Sequence, residues 1–224
     1  MLFDELKLIF LHVPKTGGTS VRAAILETFG ADRVYSDYGE RPAHPASPVN
    51  LDPEGYLRSI EAEGHPDLTG MSAVVGHFWP KKYERMTHCL RAMVLRDPLD
   101  RAISHYFYRL SRDPVLGPLG ETFRQFVMRD KVRSLYTQFY FRDVDMNWFD
   151  LILDHRELSS DWVGSIEALG LDPTLKHEKN VTASRMEGYD ERKAELMADS
   201  RTLEWARSLM QDDLRFYETH VASR

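Results

Sequence analysis

The chain has 224 residues, 42% of them apolar and 29% charged, with a formal net charge of −6 at pH 7. That length and apolar content suit one domain of 1–224 with a sizeable core. The acidic balance argues against nonspecific binding to nucleic acid, which needs excess cation.

The first element is a strand over Lys7–Val13, built on the apolar run Leu8-Ile9-Phe10-Leu11 and running into HVPKTGGTS at residues 12–20. Gly17 and Gly18 permit a tight turn with close approach of backbone to a ligand. A helix over Thr19–Thr28 follows, with Val21, Ile25 and Leu26 on its apolar side. Free amides at its start would face an anion, with Lys15 as a point charge and Thr16, Thr19 and Ser20 as hydroxyl donors. The alternative is an ordinary glycine-rich turn with a surface lysine. Lys15 precedes both glycines, whereas the lysine of a common nucleoside-triphosphate loop follows the last one, which argues against a standard kinase or GTPase loop.

A strand over Arg33–Ser36 comes next, then ERPAHPASPVNLDPE at 40–54, whose four prolines read as a long loop. A helix is expected over Pro53–Glu63 and a strand over Ser72–Val75, followed by GHFWP at 76–80. His77 thus stands at a strand's carboxyl end. The strand Arg91–Leu95 runs straight into RDPLDRAISHYF at 96–107. Asp97 suits an N-cap, Pro98 the first helical position and Asp100 the first turn, so a helix is expected over Pro98–Ser111. Ile103, Phe107 and Leu110 form its apolar stripe, whereas Arg101, Ser104 and His105 lie on another. Arg96 and Ser104 could hold one external anion, or Arg96 could pair with Asp97 or Asp100. Residues 81–112 carry eight Lys or Arg against three acids, a local balance of +5 where an anionic ligand would be attracted.

Further helices are expected over Glu121–Arg129, Ser160–Leu169 and Arg192–Tyr217, with a strand at Asp150–Leu153. In the last helix Leu196, Ser200, Leu203, Ala206, Met210, Leu214 and Tyr217 recur at spacings of three and four, a core-facing stripe. Alternation of strand and helix implies an α/β fold with a mostly parallel sheet and ligands at the strands' carboxyl ends. Cys89 is the only cysteine, so no intramolecular disulfide is possible and a reducing compartment is expected. The segment MLFDELKLIFLHV has no basic n-region, and no run approaches a membrane span, so a soluble cytoplasmic protein is expected. No His/Cys cluster has metal-ligand spacing.

Together HVPKTGGTS and RDPLDRAISHYF resemble the two cofactor motifs of sulfotransferases that use 3′-phosphoadenosine 5′-phosphosulfate (PAPS). The nearest pattern is that of the carbohydrate sulfotransferases related to heparan sulfate 2-O-sulfotransferase. GHFWP resembles that family's Gly-His element, and YTQFYF at 136–141, LKHEKNVT at 175–182 and DDLRFYE at 212–218 extend the similarity more weakly. One departure is Val75, where the heparan enzyme's histidine-rich element has an additional histidine.

The resemblance implies a P-loop-like three-layer α/β domain. Lys15, Thr16, Gly17, Gly18, Thr19 and Ser20 would hold the 5′-phosphosulfate, and Arg96 with Ser104 the 3′-phosphate. It implies PAPS as donor, adenosine 3′,5′-bisphosphate (PAP) as product, no metal, and a hydroxyl-bearing acceptor that could be a carbohydrate. Lys15 would neutralise the leaving phosphate and His77 would be the general base, with His105, Asp37 and Glu40 as alternates; His12 reads as structural or surface. Two other readings stay open: an ATP-dependent phosphotransferase using Asp154 of FDLILD as a metal-binding acid, and a non-catalytic nucleotide-binding protein.

Overall fold

A computed structural model describes residues 5–63, 67–112, 120–175, 182 and 186–221. Five strands form one sheet: β1 Leu8–Leu11, β2 Val34–Asp37, β3 Ala73–Gly76, β4 Leu90–Leu95 and β5 Leu151–Asp154. Their order is β2-β3-β1-β4-β5, and every pairing is parallel. The chain therefore moves to one side of β1 for β2 and β3 and to the other for β4 and β5. A crevice opens at that switch, above the carboxyl end of β1.

The sheet is buried on both faces, as parallel sheets must be when crossover helices cover them. Leu8, Ile9, Phe10 and Leu11 are all at most 1% exposed. Ile9 and Leu11 join one core with Val74, Met93, Tyr136 and Tyr140, while Leu8 and Phe10 join the other with Val21, Ile25, Val75 and Val94. A third core lies away from the sheet, where α4 (Pro98–Arg112) packs Ala102, Ile103 and Phe107 on Phe126, Ala206, Met210 and Leu214.

All five expected strands are present, with ends shifted by one or two residues. The helices differ more, and capping explains much of the difference. α1 spans Gly18–Phe29, and α3 spans Pro53–Glu63 as expected. The proline-rich loop contains a short helix, α2, at Pro48–Leu51. The Glu121–Arg129 helix shrinks to α5, Phe123–Val127, because Thr122 and Gln125 make a reciprocal capping box. A short α6, Asp130–Arg133, precedes a π-helical turn at Leu135–Tyr140. The helix expected over Ser160–Leu169 begins two residues later, and an unexpected helix precedes it: α7 is His155–Ser160 and α8 is Trp162–Ala168, the second capped by Asp161.

The expected long C-terminal helix is broken into α9 Tyr189–Ala198, α10 Ser200–Leu209 and α11 Gln211–His220. Asp199 starts a new helix by accepting the Thr202 amide at 3.0 Å, a use of its side chain that a helix interior would forgo. Leu203, Ala206, Met210 and Leu214 still pack together, but Ser200 is exposed. Asp213 of α11 holds the π-helical turn. It accepts the Tyr136 and Thr137 amides, both at 2.9 Å, and the Thr137 hydroxyl at 2.8 Å.

Candidate active site

The loop after β1 is anchored by hydrogen bonds from within. The His12 amide donates to the Gly76 carbonyl at 2.8 Å, and the Thr16 hydroxyl to the Val13 carbonyl at 2.9 Å. Lys15 and Gly17 both take left-handed backbone conformations, with φ of 70° and 89°. For glycine this is easy, but for lysine it is strain of the sort that over-determined functional loops hold. α1 then starts at Gly18 with no side chain capping its amides and no acid in its first turn. The positive end of such a helix favours an anion.

The second motif closes the opposite wall. Asp97 caps α4 through the Leu99 and Asp100 amides at 2.8 and 3.1 Å. Tyr136 grips the backbone of Arg96 from both sides, its hydroxyl donating to the Arg96 carbonyl at 2.7 Å and accepting the Arg96 amide at 3.2 Å. The Arg96 guanidinium is half-buried, and desolvation holds its pKa below the usual arginine value. Among the described residues it forms no ion pair with Asp97 or Asp100, and its Nε has no partner. Asp97 is engaged with helix amides and, at 3.5 Å, with Arg207.

These walls enclose a cavity of about 530 Å³ lined by Lys15, Gly17, Gly18, Thr19, Ser20, His77, Arg96 and Ser104 together with His12, Tyr108, His155, Leu158 and Ser159. Every expected site residue except Thr16 thus faces one space. Thr16 is buried beneath the loop with its hydroxyl spent on Val13. Lys15 Nζ stands 4.1 Å above the Tyr108 ring, which steers the cation into the cavity.

His77 owes its place to Gly76, where a Cβ would collide with the Asp37 backbone of the neighbouring strand. Its Nδ1 contacts the His12 carbonyl. A carbonyl only accepts, so Nδ1 carries the proton and Nε2 keeps its lone pair, the form a general base requires. Burial depresses the His77 pKa, the bond to His12 opposes this, and Arg41 adds to the depression. A neutral imidazole near neutrality results.

The alternates to His77 are engaged elsewhere. Asp37 accepts the Tyr83 hydroxyl at 2.7 Å and pairs with Lys82 at 2.8 Å, and Lys82 also contacts Glu40. His105 packs edge-on against Phe126 with ring centres 5.2 Å apart, and burial drives its pKa to about 3. Neither carboxylate nor His105 lines the cavity. Asp154, the candidate metal-binding acid, is buried under the Arg156 Nε at 2.7 Å and the Tyr217 hydroxyl at 3.0 Å. Among the described residues no group of three or more His, Cys, Asp or Glu could hold a metal ion. Residues 176–181 of LKHEKNVT lie outside the described residues.

The basic stretch 81–112 serves the cavity less than its charge suggested. Lys82 pairs inward with Asp37, Arg85 with Glu61 and Arg91 with Asp150, while Arg101 is wholly buried against the Val132 carbonyl. Only Arg96 of this group reaches the cavity. Sequence reasoning missed Tyr108, His155 and the true position of His12. Tyr108 lies four residues after Ser104, on the same helical face, and His155 follows the carboxyl end of β5, so both carried a positional signal.

Residues 1–138 match a family model described as the sulfotransferase family. No match is found among curated proteins. Among solved structures, a sulfotransferase from Alicyclobacillus acidocaldarius is similar over 92% of this chain and 96% of its own, at 18% identity and a TM-score of 0.43. A mouse sulfotransferase complexed with PAP covers 85% of this chain and 66% of its own, at 16% identity and a TM-score of 0.42. Retinol dehydratase in complex with androsterone and inactive cofactor PAP covers 95% and 83%, at 18% identity and a TM-score of 0.48.

Proposed function

Because this chain belongs to the sulfotransferase family, we propose that it moves the sulfuryl group of PAPS to an acceptor hydroxyl by in-line transfer. The observation that carries the reading is the meeting, in one cavity, of the start of α1 behind Gly17, Arg96 and Ser104, and a histidine whose Nε2 can accept a proton; among the described residues the Arg96 guanidinium has no ion pair and only a 3.5 Å contact to the Lys15 carbonyl. Two separate anion positions flank one base.

In this reading the amides of Gly18 and Thr19, the Thr19 and Ser20 hydroxyls and the Lys15 ammonium bind the 5′-phosphosulfate. The Arg96 guanidinium, whose buried Nε has no partner among the described residues, and the Ser104 hydroxyl bind the 3′-phosphate. His77 Nε2 takes the acceptor's proton as the acceptor oxygen bonds to sulfur and the sulfur–oxygen bond to the 5′-phosphate breaks. Lys15 meets the charge that grows on the departing phosphate oxygen. Sulfuryl transfer, like phosphoryl transfer, draws its rate from such positioning and charge stabilisation. A sugar hydroxyl is the acceptor we favour, from the likeness of GHFWP to the Gly-His element of carbohydrate sulfotransferases.

An ATP-dependent phosphotransferase is disfavoured by Asp154, whose carboxylate is already taken by Arg156 and Tyr217. Calorimetry with PAP and with ATP plus magnesium separates the readings, and PAP is expected to bind at least tenfold tighter. Equal or tighter binding of ATP would overturn the assignment. Incubation with sulfur-labelled PAPS and a panel of hydroxyl acceptors then identifies the labelled product.

A further inference from the structure

His12 faces the cavity from the carboxyl end of β1, although it is only 8% exposed. Its ring is fixed on two edges. Nδ1 lies 3.0 Å from the Tyr38 hydroxyl. The edge carrying Nε2 lies against Gly18, where an added Cβ would stand 2.6 Å from Nε2, so the first residue of α1 must be glycine for the ring to rest there. The ring also packs on His77, with centres 4.6 Å apart. Arg22, one turn along α1, stands over the Tyr38 ring at 5.8 Å, so its charge lies beside the phenol. A cation beside the phenol disfavours an O–H aimed toward it, which places the hydroxyl proton on the line to His12 Nδ1. His12 Nδ1 is then the acceptor and Nε2 carries the ring proton. The two neighbouring histidines hold opposite tautomers, His77 with a lone pair on Nε2 and His12 with a proton there.

We propose that His12 is a further catalytic residue of the transfer proposed above, its neutral Nε2–H donating a hydrogen bond to a non-bridging oxygen of the sulfuryl group as it passes between donor and acceptor. The proposal rests on the PAPS reading of the cavity. The proton stays on His12 throughout, so His77 remains the base. Burial together with His77, Arg22 and Lys15 disfavours the charged ring, whose pKa falls to about 3, and this keeps a neutral donor in place across the working range. A preorganised donor beside the helix start costs no reorganisation when charge shifts onto the sulfuryl oxygens.

The test compares His12→Leu and His12→Gln, since glutamine can return an N–H near the position of Nε2. His12→Leu is expected to lower kcat by about thirty- to a hundredfold with PAP affinity within threefold, and His12→Gln to recover at least tenfold of that loss. Wild-type kcat in His12→Leu, no recovery in His12→Gln, or PAP affinity falling in step with kcat would each overturn the proposal. A readout free of turnover is the ring-nitrogen NMR of ¹⁵N-histidine protein. A protonated Nε2 on His12 whose signal moves with PAPS more than with PAP is expected, whereas a protonated Nδ1 or equal responses would overturn the role. If the ring responds as expected yet the wild type transfers to no acceptor, the transfer reading fails while the donor arrangement stands.

Discussion

In the proposed transfer Lys15, Arg96 and His77 serve different parts of the reaction, and substitution separates them. Lys15 and Arg96 each supply charge-assisted hydrogen bonds worth about 1.5–3 kcal/mol, so alanine at either is expected to weaken PAP affinity about ten- to a hundredfold. His77 is proposed to act on the acceptor instead. His77→Ala is expected to leave PAP affinity within a few-fold while turnover falls by about a hundredfold or more. The pH profile gives a second check. Because burial lowers the His77 pKa, protonation that silences the base occurs below its ordinary 6.5. Wild-type kcat/KM should therefore rise with pH through a value under 6.5 and then level, and His77→Ala should lose that limb. Retention of wild-type turnover by His77→Ala would remove it as the base, and Asp37 and Glu40 could replace it only by leaving Lys82.

At the scale of elements, the loop after β1 works because Gly18 gives its Cβ space to the His12 imidazole. Gly18→Ala keeps an ordinary helical backbone but overlaps that ring, and overpacking of this kind costs about 1–3 kcal/mol. The variant is expected to lose that stability in urea titration and to bind PAP at least tenfold more weakly. The double variant Gly18→Ala with His12→Ala should regain most of the stability, since the two side chains would no longer compete. Additive losses would show that the strain lies elsewhere. The same element shows what the sequence discloses. Apolar runs such as LIFL are legible because a parallel sheet buries both faces, and motif spacing was enough to bring Lys15, His77, Arg96 and Ser104 together. The breaks at Asp199 and Asp161 were not, because a carboxylate chooses between capping and continuing a helix only through its surroundings. His12 looked structural for a related reason. Its side-chain placement depends on Tyr38, twenty-six residues away in the chain, and on Gly18, neither of which periodicity connects to it.

Across the whole molecule the folded state holds neutral histidines where an unfolded chain would charge them. His12 and His105 both titrate at about 3, and His77 is displaced in the same direction. A group whose folded pKa is depressed stabilises fully above its unfolded pKa, about 6.5 for histidine, and loses that contribution as pH falls toward the folded value. Below pH 6.5 the unfolded chain therefore binds more protons, and stability must fall with pH. Between pH 7.5 and 5 each of His12 and His105 should cost about 2 kcal/mol. Asp213, raised above the usual carboxylate range by burial, works in the opposite sense as pH falls through its own titration. Urea unfolding at pH 7.5, 6.5, 5.5 and 5 measures the slope, and His105→Phe, which keeps a ring against Phe126, should remove about half of what the two histidines contribute. Stability that stays level from pH 7.5 to 5 would mean that these rings are protonated in the fold, and the neutral arrangement around the cavity would fail with them.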